Sequence, residues 1–211
     1  WIRDLYQDAA RQRYEPFHEE WLVPALYRPY VKRWLYNSRM LINTRYQIPT
    51  LFPSAHAENL LIQVTGTNET KSFSCLISNC VPDLHVISGG QCFPLYYYES
   101  QTDRAWREGG DEGDEEPRLI RRDAITDNAL ADFLAHYRRQ DITKEDVFYA
   151  LYAILHSADY RQRYSNDLKK ELPRIPFPPD IDAFIQAGRD LAHWHLDYES
   201  VEPFPLSEQI T

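Results

Sequence analysis

The segment from Thr143 to Pro178, TKEDVFYALYAILHSADYRQRYSNDLKKELPRIPFP, constrains the fold most, because it fixes where a helix begins, which side it buries and where it must stop. Thr143 followed by Asp146 has the spacing of a capping box, in which the hydroxyl satisfies an orphan backbone N–H and the acid faces the positive end of the helix. Val147, Phe148, Leu151, Tyr152, Ile154 and Leu155 then recur at helical spacing and form a wide apolar stripe that has to be covered. A break at Ser157–Asp159 precedes a second expected helix, Tyr160 to Leu172, with Tyr160, Tyr164, Leu168 and Leu172 on one side. Arg161, Arg163, Lys169 and Lys170 fall mostly on the other side. Pro173 ends it, and Pro176, Pro178 and Pro179 continue as a stiff extended connector. The expectation is a helical hairpin with a basic outer edge.

The chain upstream reads differently. NLLIQVTG, KSFSCLIS, LHVIS and GGQCFPLYYYE, between residues 57 and 98, are apolar or alternating runs separated by turn residues, and predict about four strands. Thr126 or Asp127 should cap a helix through Leu130, Phe133, Leu134 and Tyr137. Another helix is expected over Ile181–Trp194, and residues 1–22 should hold a helix and a loop. The fold class is α+β, a small mostly antiparallel sheet in the first half followed by a C-terminal bundle of about four helices. The expected division is a connector over 1–26 and one domain over 27–211. Within that domain, 27–98 should be mainly strands, 99–117 an acidic mobile loop and 118–211 helical.

Composition excludes some classes. No apolar run approaches the roughly 20 residues a membrane span needs, so a soluble, cytoplasmic protein is expected. Three cysteines do not make a disulfide framework. The opening WIRDLYQDAARQRY reads as the middle of a longer chain. A net charge of −9 argues against a polyanionic partner until it is mapped: residues 99–116 hold eight acids against Arg104 and Arg107, while 27–47 hold five bases and no acid. Local potential within about 10 Å governs phosphate binding more than the sum does.

In 27–47, Tyr27, Tyr30, Trp34, Tyr36 and Tyr46 are interleaved with Arg28, Lys32, Arg33, Arg39 and Arg45. Rings beside cations suit phosphate contact and base stacking. On the residues alone, a strand pair with core aromatics and solvated cations is the plainer account. Cys75, Cys80, His85 and Cys92 have zinc-ligand chemistry, but their spacing lacks a C-x-x-C knuckle, so core packing is favoured. The acids at 111–116 miss the register of a calcium loop. His156, His193 and His195 make a weak metal set, since residues two apart on a helix do not share a face. There is no Asn/Asp-Pro-Pro-Tyr/Phe loop, no dinucleotide or phosphate-binding glycine motif, no H-E-x-x-H and no G-x-S-x-G, so no catalytic residue is expected in this chain.

The run FYALYAILHSADYRQRYSNDLKKELPRIPFP, with YRP and its basic-aromatic cluster, RYQIPTLFP, VTGTNETKSFSCLIS, ITDNALADFLAHYR and DAFIQAGRDLAHWHLDYE, closely resembles the C-terminal specificity domain of type ISP restriction-modification enzymes. The resemblance implies sequence-specific recognition of double-stranded DNA. It also implies a parent chain with a nuclease, a helicase-like translocase and an adenine-N6 methyltransferase upstream, using S-adenosylmethionine, ATP and Mg, none of them held by this segment. The implied partners are duplex DNA and the upstream domains. Candidate DNA contacts are Arg28, Lys32, Arg33, Arg39, Arg45 and Gln47, then Lys71, Arg161, Arg163, Lys169, Lys170 and Arg174. The second group can equally be a solvated helix face. A module that docks on the methyltransferase or motor and an enzyme of unrecognised type remain as alternatives.

Overall fold

The Thr143 cap is present in the structure, a computed structural model describing residues 3–42, 44–101, 118–203 and 205–206. The Thr143 hydroxyl accepts from Asp146 N, and the Asp146 carboxylate accepts from Thr143 N, opening helix α4 (Lys144–His156). The stripe is buried as expected except for the half-buried Leu151, and with Ala150 and Ala153 also enclosed the helix is covered on most sides. Its main neighbour is α6 (Ile181–Leu196), capped by Asp180. The two backbones approach closely at Gly188, where an added Cβ would lie 1.9 Å from the Tyr149 carbonyl oxygen. Helix α3 (Asp127–Tyr137), capped by the Thr126 hydroxyl, packs through Phe133 against Val147, Ala150 and Ile181.

The described strands make three sheets. Strands β1 (Leu22–Arg28) and β2 (Val31–Tyr36) form a hairpin, and β1 pairs in parallel with the short β5 (Val81–Pro82). Strands β4 (Cys75–Ser78), β3 (Leu61–Val64) and β6 (Gln91–Pro94) form the second sheet, antiparallel throughout. All four residues of both β3 and β4 are buried, which happens when a sheet is covered on both faces. Period-two alternation separates the faces. Ile62, Val64, Cys75 and Ile77 pack on Phe148, Tyr152 and Leu155 of the helices, whereas Leu61 and Leu76 meet β1, β5 and the chain around Val86. The order of layers is hairpin sheet, central sheet, helices.

Four expectations are corrected, the last being the helical reading of 118–123, which forms a strand. Leu84–Ser88 is a turn, not a strand, because the Asp83 carboxylate accepts from His85 N and Val86 N donates to Asp83 O; the strand here is β5. GGQCFPLYYYE is two strands, β6 and β7 (Tyr96–Gln101), which lie in different sheets. The Asn59 side chain bonds both Tyr96 N and Tyr96 O, so the chain leaves the central sheet there. Helix α5 runs only over Ala158–Arg163, and the chain continues in turns closed by backbone bonds such as Asp167 N and Leu168 N to Tyr164 O, with Tyr160 and Leu168 still buried.

Other stretches add detail. Helix α1 spans Arg3–Ala10 and the short α2 spans Ile48–Leu51. Within the span expected to be helical, residues 118–123 form β8 (Arg118–Asp123), paired with β7 as a two-stranded ribbon. Of the acidic run at 99–117, Glu99 lies on β7 and 102–117 fall outside the described residues. Cys75 and Cys92 sit at adjacent registers on either side of β3, opposite Val64 and Gln63, and so point to opposite faces. They cannot share a metal. No group of three or more metal-ligating side chains converges among the described residues.

Candidate nucleic-acid interface

The β1–β2 hairpin carries the first basic group, and period-two geometry divides it. Arg28 lies over the Tyr27 ring at 4.0 Å and donates to Asp83 at 3.2 Å. The Lys32 ammonium donates to Glu199 at 2.7 Å, a bond that raises its pKa, and lies 5.1 Å over the Tyr198 ring. Arg33 points to solvent beside Trp34, whose indole is 72% exposed. Lys32, Arg33 and Trp34 line an open depression of about 500 Å³ with Pro24, Asn79 and Cys80.

The rings of this stretch do different work. Tyr36 stacks on Phe17 at 5.4 Å, and its hydroxyl accepts from His18 N, which ties the N-terminal segment to the sheet. Tyr30, at the hairpin turn with φ +60, packs edge-on to Tyr198 at 5.1 Å. Trp34 and the 85% exposed Tyr46 are the rings left open for stacking.

The second group is also divided. Arg161 turns inward: its Nε donates to Leu155 O at 2.6 Å, and its NH2 lies 3.4 Å from both Cys75 Sγ and His156 Nδ1. It lines a cleft of about 380 Å³ together with Lys71, Tyr30, His156 and His195. The hairpin turn of the first group thus meets two members of the second across one cleft. Arg163, Lys169 and Lys170 are exposed beyond it, and Lys169 O accepts from Asn68 N, joining this turn to the β3–β4 loop that bears Lys71. Arg174 pairs with Glu171 at 2.9 Å. Arg39 and Gln47 are exposed, and Arg45 is half-buried with an unpartnered Nε. No hydrogen bond or ion pair among the described residues joins these last three to the cleft.

Sequence reasoning missed the ribbon. Arg118, Arg121 and Arg122 of β8 are exposed; Arg121 lies 4.3 Å over the Tyr96 ring and Arg122 bonds Glu99 at 3.3 Å. The signal was available in RLIRRD facing YYYE, a basic alternation opposite an aromatic one. Reading 118–123 as helical hid it. Sequence reasoning also set aside His156 and His195, whose rings lie 5.3 Å apart. His193 is separate, bonding Asp197 at 2.9 Å.

Over residues 1–211 the sequence matches the family described as the Type ISP C-terminal specificity domain. No curated protein matches it. Among solved structures, the cryo-EM structure of a DrdV–DNA complex contains a chain with TM-score 0.82 and 34% identity, covering 96% of this chain and 18% of that one. The ATP-dependent Type ISP restriction-modification enzyme LlaBIII bound to DNA gives 0.77 and 29%, covering 99% and 13%. A nuclease-deletion mutant of the Type ISP enzyme LlaGI with a DNA substrate mimic gives 0.74 and 33%, covering 97% and 16%. The chain spans less than a fifth of the length of each of these proteins.

Proposed function

Because this chain belongs to the Type ISP C-terminal specificity domain family, we propose that it recognises a short sequence in double-stranded DNA and positions that site for the other domains of a restriction-modification enzyme. The observation that carries this reading is the family match over the whole length, supported by likeness to proteins held on DNA. Phosphate contacts would set the register on the duplex, and side chains reaching base edges would supply specificity.

Arg33, Arg39, Gln47, Lys71, Arg163, Lys169 and Lys170 are exposed and have no ion-pair partner among the described residues, which suits direct contact. Arg28, Lys32 and Arg174 would exchange Asp83, Glu199 and Glu171 for phosphate. Arg161 is tied to the cleft wall through Leu155 O and presents its guanidinium to the cleft. Arg45, with its unpartnered Nε, is the remaining candidate. Adenine-N6 methylation, translocation and cleavage, with S-adenosylmethionine, ATP and Mg, belong to upstream domains of the same intracellular polypeptide, and this chain is non-catalytic. The exposed Tyr6, Tyr14 and Phe17 at its N-terminal end suit docking against those domains.

Selection of bound duplexes from a randomised pool tests the reading. Enrichment of one short motif, bound more tightly than its scrambled version at two salt concentrations, is the expected result. Equal retention of all sequences would leave only the docking role.

A further inference from the structure

The cleft between the hairpin turn and helices α4 and α6 has walls that offer donors. Tyr152 OH accepts from Ile77 N at 3.1 Å and shares a hydrogen bond with His195 Nδ1 at 2.6 Å, to which its proton is assigned because no other acceptor for it is present among the described residues. With that assignment the His195 proton sits on Nε2, and this nitrogen has no partner among the described residues. Beside it, the Arg161 guanidinium donates toward His156 Nδ1 at 3.4 Å, which puts the His156 proton on Nε2; that atom is buried and meets no acceptor among the described residues. Two imidazoles 5.3 Å apart are therefore both set as Nε2–H donors, beside a guanidinium and the exposed Lys71 ammonium.

Among the described residues no carboxylate lines the cleft itself. Burial pushes the Cys75 thiol up to about 11, so it stays uncharged, and burial keeps His156 neutral, with its pKa lowered to about 4. Glu69 stands behind the wall residue Ser88, whose hydroxyl donates to it at 2.6 Å, and its charge is outnumbered by those of Lys71 and Arg161. An unpartnered imidazole N–H on His195, next to the Arg161 and Lys71 cations, is the chemistry of an oxyanion site.

We infer that this cleft binds a phosphate group, which on the DNA reading above is one backbone phosphodiester, held by His195 Nε2–H, Lys71 and the Arg161 guanidinium. The cleft, about 380 Å³, is large enough for a phosphate with its flanking sugar. The phosphate would lie where the β1–β2 turn and the Lys71 loop come together, fixing the duplex against both basic groups.

The test compares the protein with its Lys71→Ala and His195→Leu variants for binding to a random-sequence duplex, and follows the histidine ring signals by NMR while inorganic phosphate is added. Each substitution should lower duplex affinity about tenfold, Lys71→Ala should reduce the salt slope by about 0.9, and phosphate should shift the His195 signal in the unmodified protein. Duplex binding that is unchanged in both variants, with no phosphate-induced shift, overturns the inference while leaving DNA recognition intact. Absence of duplex binding by the unmodified protein, with a phosphate shift that Lys71→Ala weakens, supports the oxyanion site and removes the DNA reading. Should His195→Leu fail to fold, the exposed Lys71 position and the phosphate titration still decide.

Discussion

Tyr152 joins three parts of the molecule through one oxygen: α4 carries it, the central sheet donates to it at Ile77 N, and α6 accepts from it at His195. The side chain is fully enclosed. Tyr152→Phe should preserve the packing but leave a buried backbone N–H unsatisfied. Stability in urea should fall by about 1–3 kcal/mol without a change in the denaturant slope. Neighbouring His156 should give the fold an acid limb. Its folded pKa, about 4, is below the ordinary imidazole value because of burial and the Arg161 charge. The unfolded chain therefore takes up the proton first, and stability drops as pH falls from about 6.5 toward 4. Urea midpoints at pH 7 and pH 5 should differ more in the natural protein than in His156→Asn. The apolar stripe was legible at this scale, but the hydroxyl's partners were not, because 43 residues separate Tyr152 from His195.

Helix starts and stops are local, and this is where sequence reading succeeds or fails for stated reasons. The α4 capping box needs only Thr143 and Asp146, and Thr143→Ala should cost about 0.5–2 kcal/mol by thermal or urea denaturation. The early end of α5 was harder to foresee, since Tyr160 and Leu168 keep their burial without a continuous helix, and the same apolar spacing serves turns equally well. Gly188 shows the opposite limit. Within a helix it looks merely tolerated, yet a Cβ there would meet Tyr149 backbone atoms at 1.9 and 2.5 Å. Gly188→Ala should force α4 and α6 apart and destabilise by roughly 1–3 kcal/mol or more, read as a lowered urea midpoint. The pairing of β8 with β7 also depended on a partner across residues 102–117, which periodicity within either strand alone does not name.

For the whole molecule, the negative sum and the basic surfaces coexist because the charges are segregated along the chain. Exposed cations without carboxylate partners should dominate salt-dependent binding. Replacing Arg33, Lys169 and Lys170 together by alanine should flatten the dependence of log K on log salt by about 3. Arg174→Ala alone should change it less, since Glu171 already compensates that charge. Binding titrations at several salt concentrations check both outcomes.

By itself the sequence determined the α+β order, the capped starts of α3 and α4, the presence of α6, the buried stripe of α4 and the family, all of which rest on residues near one another in the chain. Tertiary structure alone decided which cations remain free, which rings are open and that His156, His195, Arg161 and Lys71 line one cleft. Those outcomes depend on which layer covers which face and on pairings across many tens of residues, distances over which local periodicity carries no information.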